Sequence, residues 1–260
     1  MKDAFQIVPF PRVRQPVVDS LRQAKRMAPI HLLTEVDVTD ARRRVREFKT
    51  TSGERLSFTA FLAACLAKAV DEDRSVQAYR RRRKLVIYDD VDVSVLIERE
   101  MGGSKAPLFP HVVRAANKKT VAEIHDEIRA AQKEDVEASS MGRWIGRYTW
   151  IPGFIRGLIW RRLLGSPAWR KGLTGTVGLS AVGMFGKGAG WGVPLPTYAL
   201  AITVGGIAAK PAVVESGVEV REFLCLTVSF DHNLVDGAPA ARFTQRFKEF
   251  IAGAYGLGGE

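Results

Sequence analysis

Apolar and polar side chains alternate over residues 31–38, His31-Leu32-Leu33-Thr34-Glu35-Val36-Asp37-Val38, the period-two pattern of a strand with one buried face. Residues 17–26 before it have helical spacing and are stopped by Pro29. Thr39 is placed to cap a helix over 40–48, its hydroxyl accepting from a free N–H of the first turn. Ser57 or Thr59 caps the next helix, where Phe61, Leu62, Cys65, Leu66, Ala69 and Val70 form a wide apolar face suited to a core. Residues 84–88, 91–97 and 107–114 read as strands, the last with its prolines toward an edge or end. Residues 120–134 predict an amphipathic helix with Val121, Ile124, Ile128 and Ala131 on one side. The C-terminal part predicts strands over 175–180, 198–207 and 218–230. A helix over 238–254 follows, with Phe243, Phe247 and Ile251 on one face. Helices and strands mix without a regular βα alternation, which argues against a simple doubly wound sheet.

Residues 141–171 break the pattern. Trp144, Tyr148, Trp150, Phe154, Trp160 and Trp169 are interleaved with Arg143, Arg147, Arg156, Arg161, Arg162 and Arg170, and Pro152-Gly153 divides the stretch into two expected helices. Such a segment suits packing on the protein's own surface or roofing a pocket, docking on a partner, or lying on a membrane surface. The first is the expectation, with the apolar side chains buried.

Composition narrows the class. The 260 residues suffice for a sizeable core, and 46% hydrophobic with 26% charged residues is ordinary for a globular protein. Cys65 and Cys225 lie in apolar runs and read as buried thiols of a reducing compartment. With no run of signal-peptide length at the N-terminus and none of spanning length elsewhere, the cytoplasm is the expected location. The net charge of +11 attracts polyanions without choosing among them. No nucleic-acid motif accompanies it, and nucleic acid is not the expected partner. No metal is expected.

The chemistry centres on His232. A β-forming run, residues 223–230, delivers it to the end of a buried strand, and Asp236-Gly237 follows on a turn before a helix. An imidazole with an ordinary pKa near ~6.5 can accept a proton at neutral pH, which a thiol nucleophile needs. Asp236 can hold the turn or pair with an arginine. A lone histidine on a turn is also compatible with a structural role.

His232-Asn233-Leu234-Val235-Asp236-Gly237, within Ser229-Phe230-Asp231-His232 to Ala240-Ala241-Arg242-Phe243, resembles the C-terminal motif of the dihydrolipoyl acyltransferases of 2-oxo acid dehydrogenase complexes. Chloramphenicol acetyltransferase shares that fold and signature. Residues 28–39, 91–97, 117–124 and 175–186 resemble further segments of the family in the same order, and the likeness runs from about Arg12 to Ile251. It implies one domain over 1–260, interrupted by the helical insertion at about 141–171. The implied fold is an α/β (α+β) two-layer sandwich, chloramphenicol acetyltransferase-like, with a mixed sheet flanked by helices. It further implies His232 as general base, Ser180 as hydroxyl donor to the oxyanion, and Asp236 as support for the site. Coenzyme A or acyl-CoA would be the substrate, its phosphates held by basic side chains that the sequence does not single out. The assembly would be a homotrimer or a higher multiple, with the active site between subunits.

Several positions depart from the family. Asn233 stands where it usually has Arg, Ala181 where it has Asn or Ser, and 106–113 replaces a Gly-Leu-x-x-Pro-Val run. The sequence shows no lipoyl domain, peripheral-subunit-binding domain or Pro/Ala-rich linker, so a lipoyl- or acyl-carrier protein is expected to act in trans. The departures leave the acceptor open. They also leave a second reading, a catalytically idle oligomeric core or binding module of the same fold.

Overall fold

The alternating run forms the first strand of the sheet. A computed structural model of the chain describes residues 5–11, 14–25, 27–52, 56–98, 100–101, 104–105, 109–133, 147–183, 186–215 and 217–258. Its first half contains α1 (Gln15–Ala24), β1 (Pro29–Asp37), α2 (Thr39–Ser52), α3 (Phe58–Glu72), β2 (Tyr79–Arg81), β3 (Lys84–Val86), β4 (Val93–Ile97), β5 (Glu100–Met101), β6 (Ser104–Lys105), β7 (Phe109–Val113) and α4 (Val121–Lys133). The second half adds α5 (Gly153–Leu164), α6 (Pro167–Thr174), β8 (Val177–Ala181), β9 (Leu200–Val214), β10 (Gly217–Asp231) and α7 (Gly237–Ala252).

Six strands form one sheet in the order β1-β10-β9-β8-β4-β7. β8 runs parallel to β9 and β4, and the other neighbours are antiparallel, so the sheet is mixed as expected. Alternation sorts its two faces. Leu224, Leu226, Val228 and Phe230 of β10, with Leu200, Ile202, Val177, Leu179, Val93 and Val95, meet Phe61, Leu66, Ile124, Phe243, Phe247 and Ile251 of α3, α4 and α7 in one core. Fully burying side chains of this size contributes ~1.5–3 kcal/mol each. The opposite face is small and polar, and Ser94, Ser180, Thr203, Thr227, Ser229 and His31 alternate with the core positions.

Some local expectations are corrected. Thr39 opens α2 as foreseen, but its hydroxyl accepts the N–H of Glu222 at 2.8 Å instead of an N–H of its own helix. Ser57 occupies the N-cap of α3 without a side-chain capping bond, and its N–H donates to His125 Nδ1 at 2.9 Å. Pro152 precedes α5, yet the aromatic-basic segment breaks a second time at Gly165-Ser166, with Pro167 in the first turn of α6.

That segment is anchored at two places among the described residues: α6 accepts at the Pro167 carbonyl from the Tyr88 hydroxyl at 3.0 Å, and α5 meets α1. Asp19 of α1, buried, accepts from the Tyr148 hydroxyl at 2.7 Å and from Arg156 Nε at 2.9 Å, and Trp160 Nε1 donates to the same tyrosine hydroxyl at 2.6 Å. Tyr148 and Trp160 are buried, whereas Trp150, Phe154, Leu158 and Trp169 remain 79%, 80%, 60% and 65% exposed. The expected burial of the apolar side chains therefore fails for these four within a single chain. Arg143, Trp144 and Ile145 lie outside the described residues, as do Arg12, residues 106–108, Met184 and Phe185.

Candidate functional site

β10 ends at Asp231, and the chain turns so that His232 leaves the sheet half-exposed. Three bonds to Asp231 hold this turn. Its buried carboxylate Oδ1 accepts from the N–H of Ala28 at 3.1 Å, from Asn233 Nδ2 at 2.8 Å and from the N–H of Asn233 at 3.2 Å. The N–H of His232 donates to the Ala28 carbonyl at 2.7 Å. The imidazole Nδ1 lies 3.4 Å from Asp236 Oδ1, and Asp236 sits at the N-cap of α7. Among the described residues no arginine pairs with Asp236. Its carboxylate is 85% exposed and faces the imidazole. Among the described residues no group pairs with Nε2, so that nitrogen is open to a substrate.

Ser180 lies on β8, half-buried, on the small polar face. It pairs with Thr203, which in turn pairs with Thr227 on β10. From Thr227 to His232 is roughly five residues, hence about 17 Å of strand, and the two strand spacings between β8 and β10 add about 10 Å sideways. Within one chain Ser180 and His232 are therefore on the order of 19 Å apart. The structure brings Asp236 to His232 and keeps Ser180 away from both.

The loop after Ser180 is pressed against β9. A Cβ on Gly183 would meet the Gly205 carbonyl oxygen at 1.7 Å, and one on Gly205 would meet that of Gly190 at 2.0 Å. The N–H of Gly206 donates to the Gly190 carbonyl at 2.9 Å, and the β9–β10 register shifts here, between Leu224 and Leu226. Trp191 Nε1 donates to the Thr34 carbonyl at 3.0 Å and ties the same loop across to β1.

Two contributors escaped the sequence reading. Asp231 was visible inside the motif, but nothing local shows that its partner would be Ala28, 203 residues earlier. His31 donates or accepts through Nδ1 at 2.8 Å to the buried Ser229 hydroxyl, on the sheet face that carries Ser180. Two surface hollows, one lined by Ala168, Trp169, Gly172 and Leu173 and the other by Phe10, Gln15, Thr149 and Trp150, involve none of His232, Asp236 or Ser180. Among the described residues no group of three or more His, Cys, Asp or Glu side chains is placed to hold a metal ion. None of the described helices is long and apolar enough to cross a membrane.

Residues 2–140 and 171–257 match the family model described as 2-oxoacid dehydrogenases acyltransferase (catalytic domain). The chain is 26% identical over 251 residues to the lipoamide acyltransferase component of the branched-chain alpha-keto acid dehydrogenase complex of Bacillus subtilis, covering 94% of this chain and 51% of that protein. It thus spans about half the length of such curated relatives. Among solved structures, the cubic core of the pyruvate dehydrogenase multienzyme complex superposes with a TM-score of 0.72 at 16% identity, covering 98% of this chain and 95% of that one. Azotobacter vinelandii dihydrolipoamide acetyltransferase, studied for the role of a serine, a histidine and an asparagine in its catalytic mechanism, superposes with a TM-score of 0.71 at 17% identity, covering 98% and 95%.

Proposed function

The chain belongs to the 2-oxoacid dehydrogenases acyltransferase family by its catalytic domain, and we propose that it transfers an acyl group between coenzyme A and an acceptor, a thiol first of all. His232 is the general base, Ser180 the oxyanion donor and Asp236 the group that orients the imidazole. One observation carries this reading: His232 is fixed on a pinned turn with Nδ1 turned to Asp236, which leaves Nε2 as the basic nitrogen. The serine, histidine and asparagine studied in the Azotobacter enzyme have the same sequence spacing as Ser180, His232 and Asp236.

In the proposed reaction Nε2 takes the proton of the attacking thiol, and the thiolate sulfur bonds to the thioester carbonyl carbon. The Ser180 hydroxyl donates to the oxyanion that develops there, where a hydrogen bond strengthens as charge builds. Collapse breaks the original carbon–sulfur bond, and the departing thiolate recovers the proton from the imidazolium. Atoms and protons balance with no further reactant.

The separation of Ser180 from His232 within one chain supports an intersubunit site. His232 of one copy would work with Ser180 of another, in a homotrimer or a multiple of three. A lipoyl- or acyl-carrier protein acting in trans would supply the acceptor thiol. A thiol-exchange assay with acetyl-, succinyl- and branched acyl-CoA against dihydrolipoamide tests the activity. Turnover with at least one of them is expected, and none with any would overturn it.

A further inference from the structure

α5 wears its amphipathic pattern inside out. On the side toward α1 it buries Arg156, paired with Asp19, and Trp160, bonded through Tyr148. On the side toward solvent it presents Phe154, Ile155 and Leu158, followed one turn on by the exposed Arg161 and Arg162. A surface helix in water normally does the reverse. Trp150 before it and Trp169 and Leu173 on α6 extend the exposed apolar area. Several large apolar side chains left exposed along one segment beside cations mark a surface that meets another phase or partner.

Charge selects the occupant. Between Glu137 and Glu215 the sequence contains no Asp or Glu, while this stretch holds Arg147, Arg156, Arg161, Arg162 and Arg170. Among the described residues only Arg156 of these pairs with a carboxylate, while Arg170 lies 4.8 Å over the Tyr79 ring. A second copy presenting the same face would set arginine against arginine on a chain of net charge +11. We infer that α5 and α6 dock the protein on an anionic phospholipid membrane surface. The aromatic and leucine side chains enter the acyl boundary, and the guanidinium groups lie among the headgroup phosphates. At 12 residues α5 is about 18 Å long, short of the ~30 Å hydrocarbon core, so it lies along the surface. Asp19 holds α5, and Tyr88 through its bond to the Pro167 carbonyl holds α6, to the body of the protein.

Vesicle flotation of the whole protein tests this independently of the acyl-transfer reading. At low salt the protein should float with vesicles of mixed phosphatidylglycerol and phosphatidylcholine and stay behind with phosphatidylcholine alone. The triple variant Phe154→Ser, Leu158→Ser, Trp169→Ser should lose at least about tenfold in vesicle affinity, and so should the pair Arg161→Glu, Arg162→Glu. Both leave the Asp19 anchor in place, and thermal unfolding near that of the parent checks that they fold. Failure of the parent to float with the anionic vesicles overturns the proposal, as does equal flotation with both lipids or undiminished binding by the folded variants. If the parent does not float and the triple variant changes assembly size by light scattering, the face is a contact between copies and the proposal is wrong.

Discussion

The N–H of His232 donates to the carbonyl of Ala28 at 2.7 Å, and the N–H of Ala28 returns a bond to the neighbouring Asp231 carboxylate at 3.1 Å. The turn that carries the imidazole is thereby clamped to the start of β1. Asp231→Ala should release it. The N–H of Ala28 and the Asn233 amide would lose their acceptor, at a cost of about 1 kcal/mol, since both stay within reach of water. A drop in kcat of about tenfold or more with KM little changed is expected, because a wandering base harms the transition state more than binding. Asp231→Asn keeps one acceptor oxygen and should recover part of the rate. Kinetics of both variants equal to the parent would remove the positioning role.

His232→Ala should abolish acyl transfer while leaving the fold intact, since the ring is half-exposed and outside the core. Ser180→Ala should leave the affinity for coenzyme A nearly unchanged and reduce kcat by about a hundred- to a thousandfold. Steady-state kinetics alongside a CoA titration separates the two effects. Unchanged turnover in His232→Ala would end its assignment as the base.

Because Ser180 and His232 are far apart in one chain, two inactive proteins should restore each other. Mixing His232→Ala chains with Ser180→Ala chains, followed by dissociation and reassembly, should give complete sites at about a quarter of all interfaces and a matching fraction of parental activity. Light scattering should show a trimer or a multiple of three. No recovered activity in well-mixed assemblies would place the complete site within one chain and refute the shared arrangement.

The anchor of the aromatic-basic segment has its own signature. Asp19→Ala would strand the part-buried Arg156 and the Tyr148 hydroxyl, at roughly 1–3 kcal/mol, visible in denaturant unfolding. Burial, and then the bond to Asp19, pushes the Tyr148 hydroxyl from its ordinary 10.0 up to about 12. The raised value means the protonated phenol favours the folded state. Its contribution is complete below pH 10 and is lost as the pH climbs through 12. The stability advantage of the parent over Tyr148→Phe should shrink across that interval, and a pH-independent difference would contradict it.

Much of this was legible in the sequence because its signals are local. Alternation fixed β1, helical spacing fixed α4, and the aromatic face of Phe243, Phe247 and Ile251 fixed α7 against the sheet. His232, Asp236 and Ser180 stood out by their motif. What escaped depends on partners distant in the chain. Thr39 had the hydroxyl of a helix cap, yet the N–H of Glu222, 183 residues away, claimed it. Asp19 carries no local signal of its role, which comes from Tyr148 and Arg156, 129 and 137 residues away. The second break at Gly165-Ser166-Pro167 did carry a signal, a serine followed by proline at a helix start, which the nearby Pro152-Gly153 overshadowed.

The glycine contact behind Ser180 has an evolutionary consequence. Even the smallest added side chain at Gly183, Gly205 or Gly206 would collide with a carbonyl oxygen, so selection should hold glycine at these sites wherever the loop stays seated. Gly186, with open space around its missing Cβ, has no such constraint. Random substitution across residues 183–206 should therefore yield a sharply uneven tolerance map. Change would be free at the loop's outer edge and nearly forbidden where backbone lies on backbone, leaving the reach of the Ser180 strand as the slowest-changing dimension of the protein.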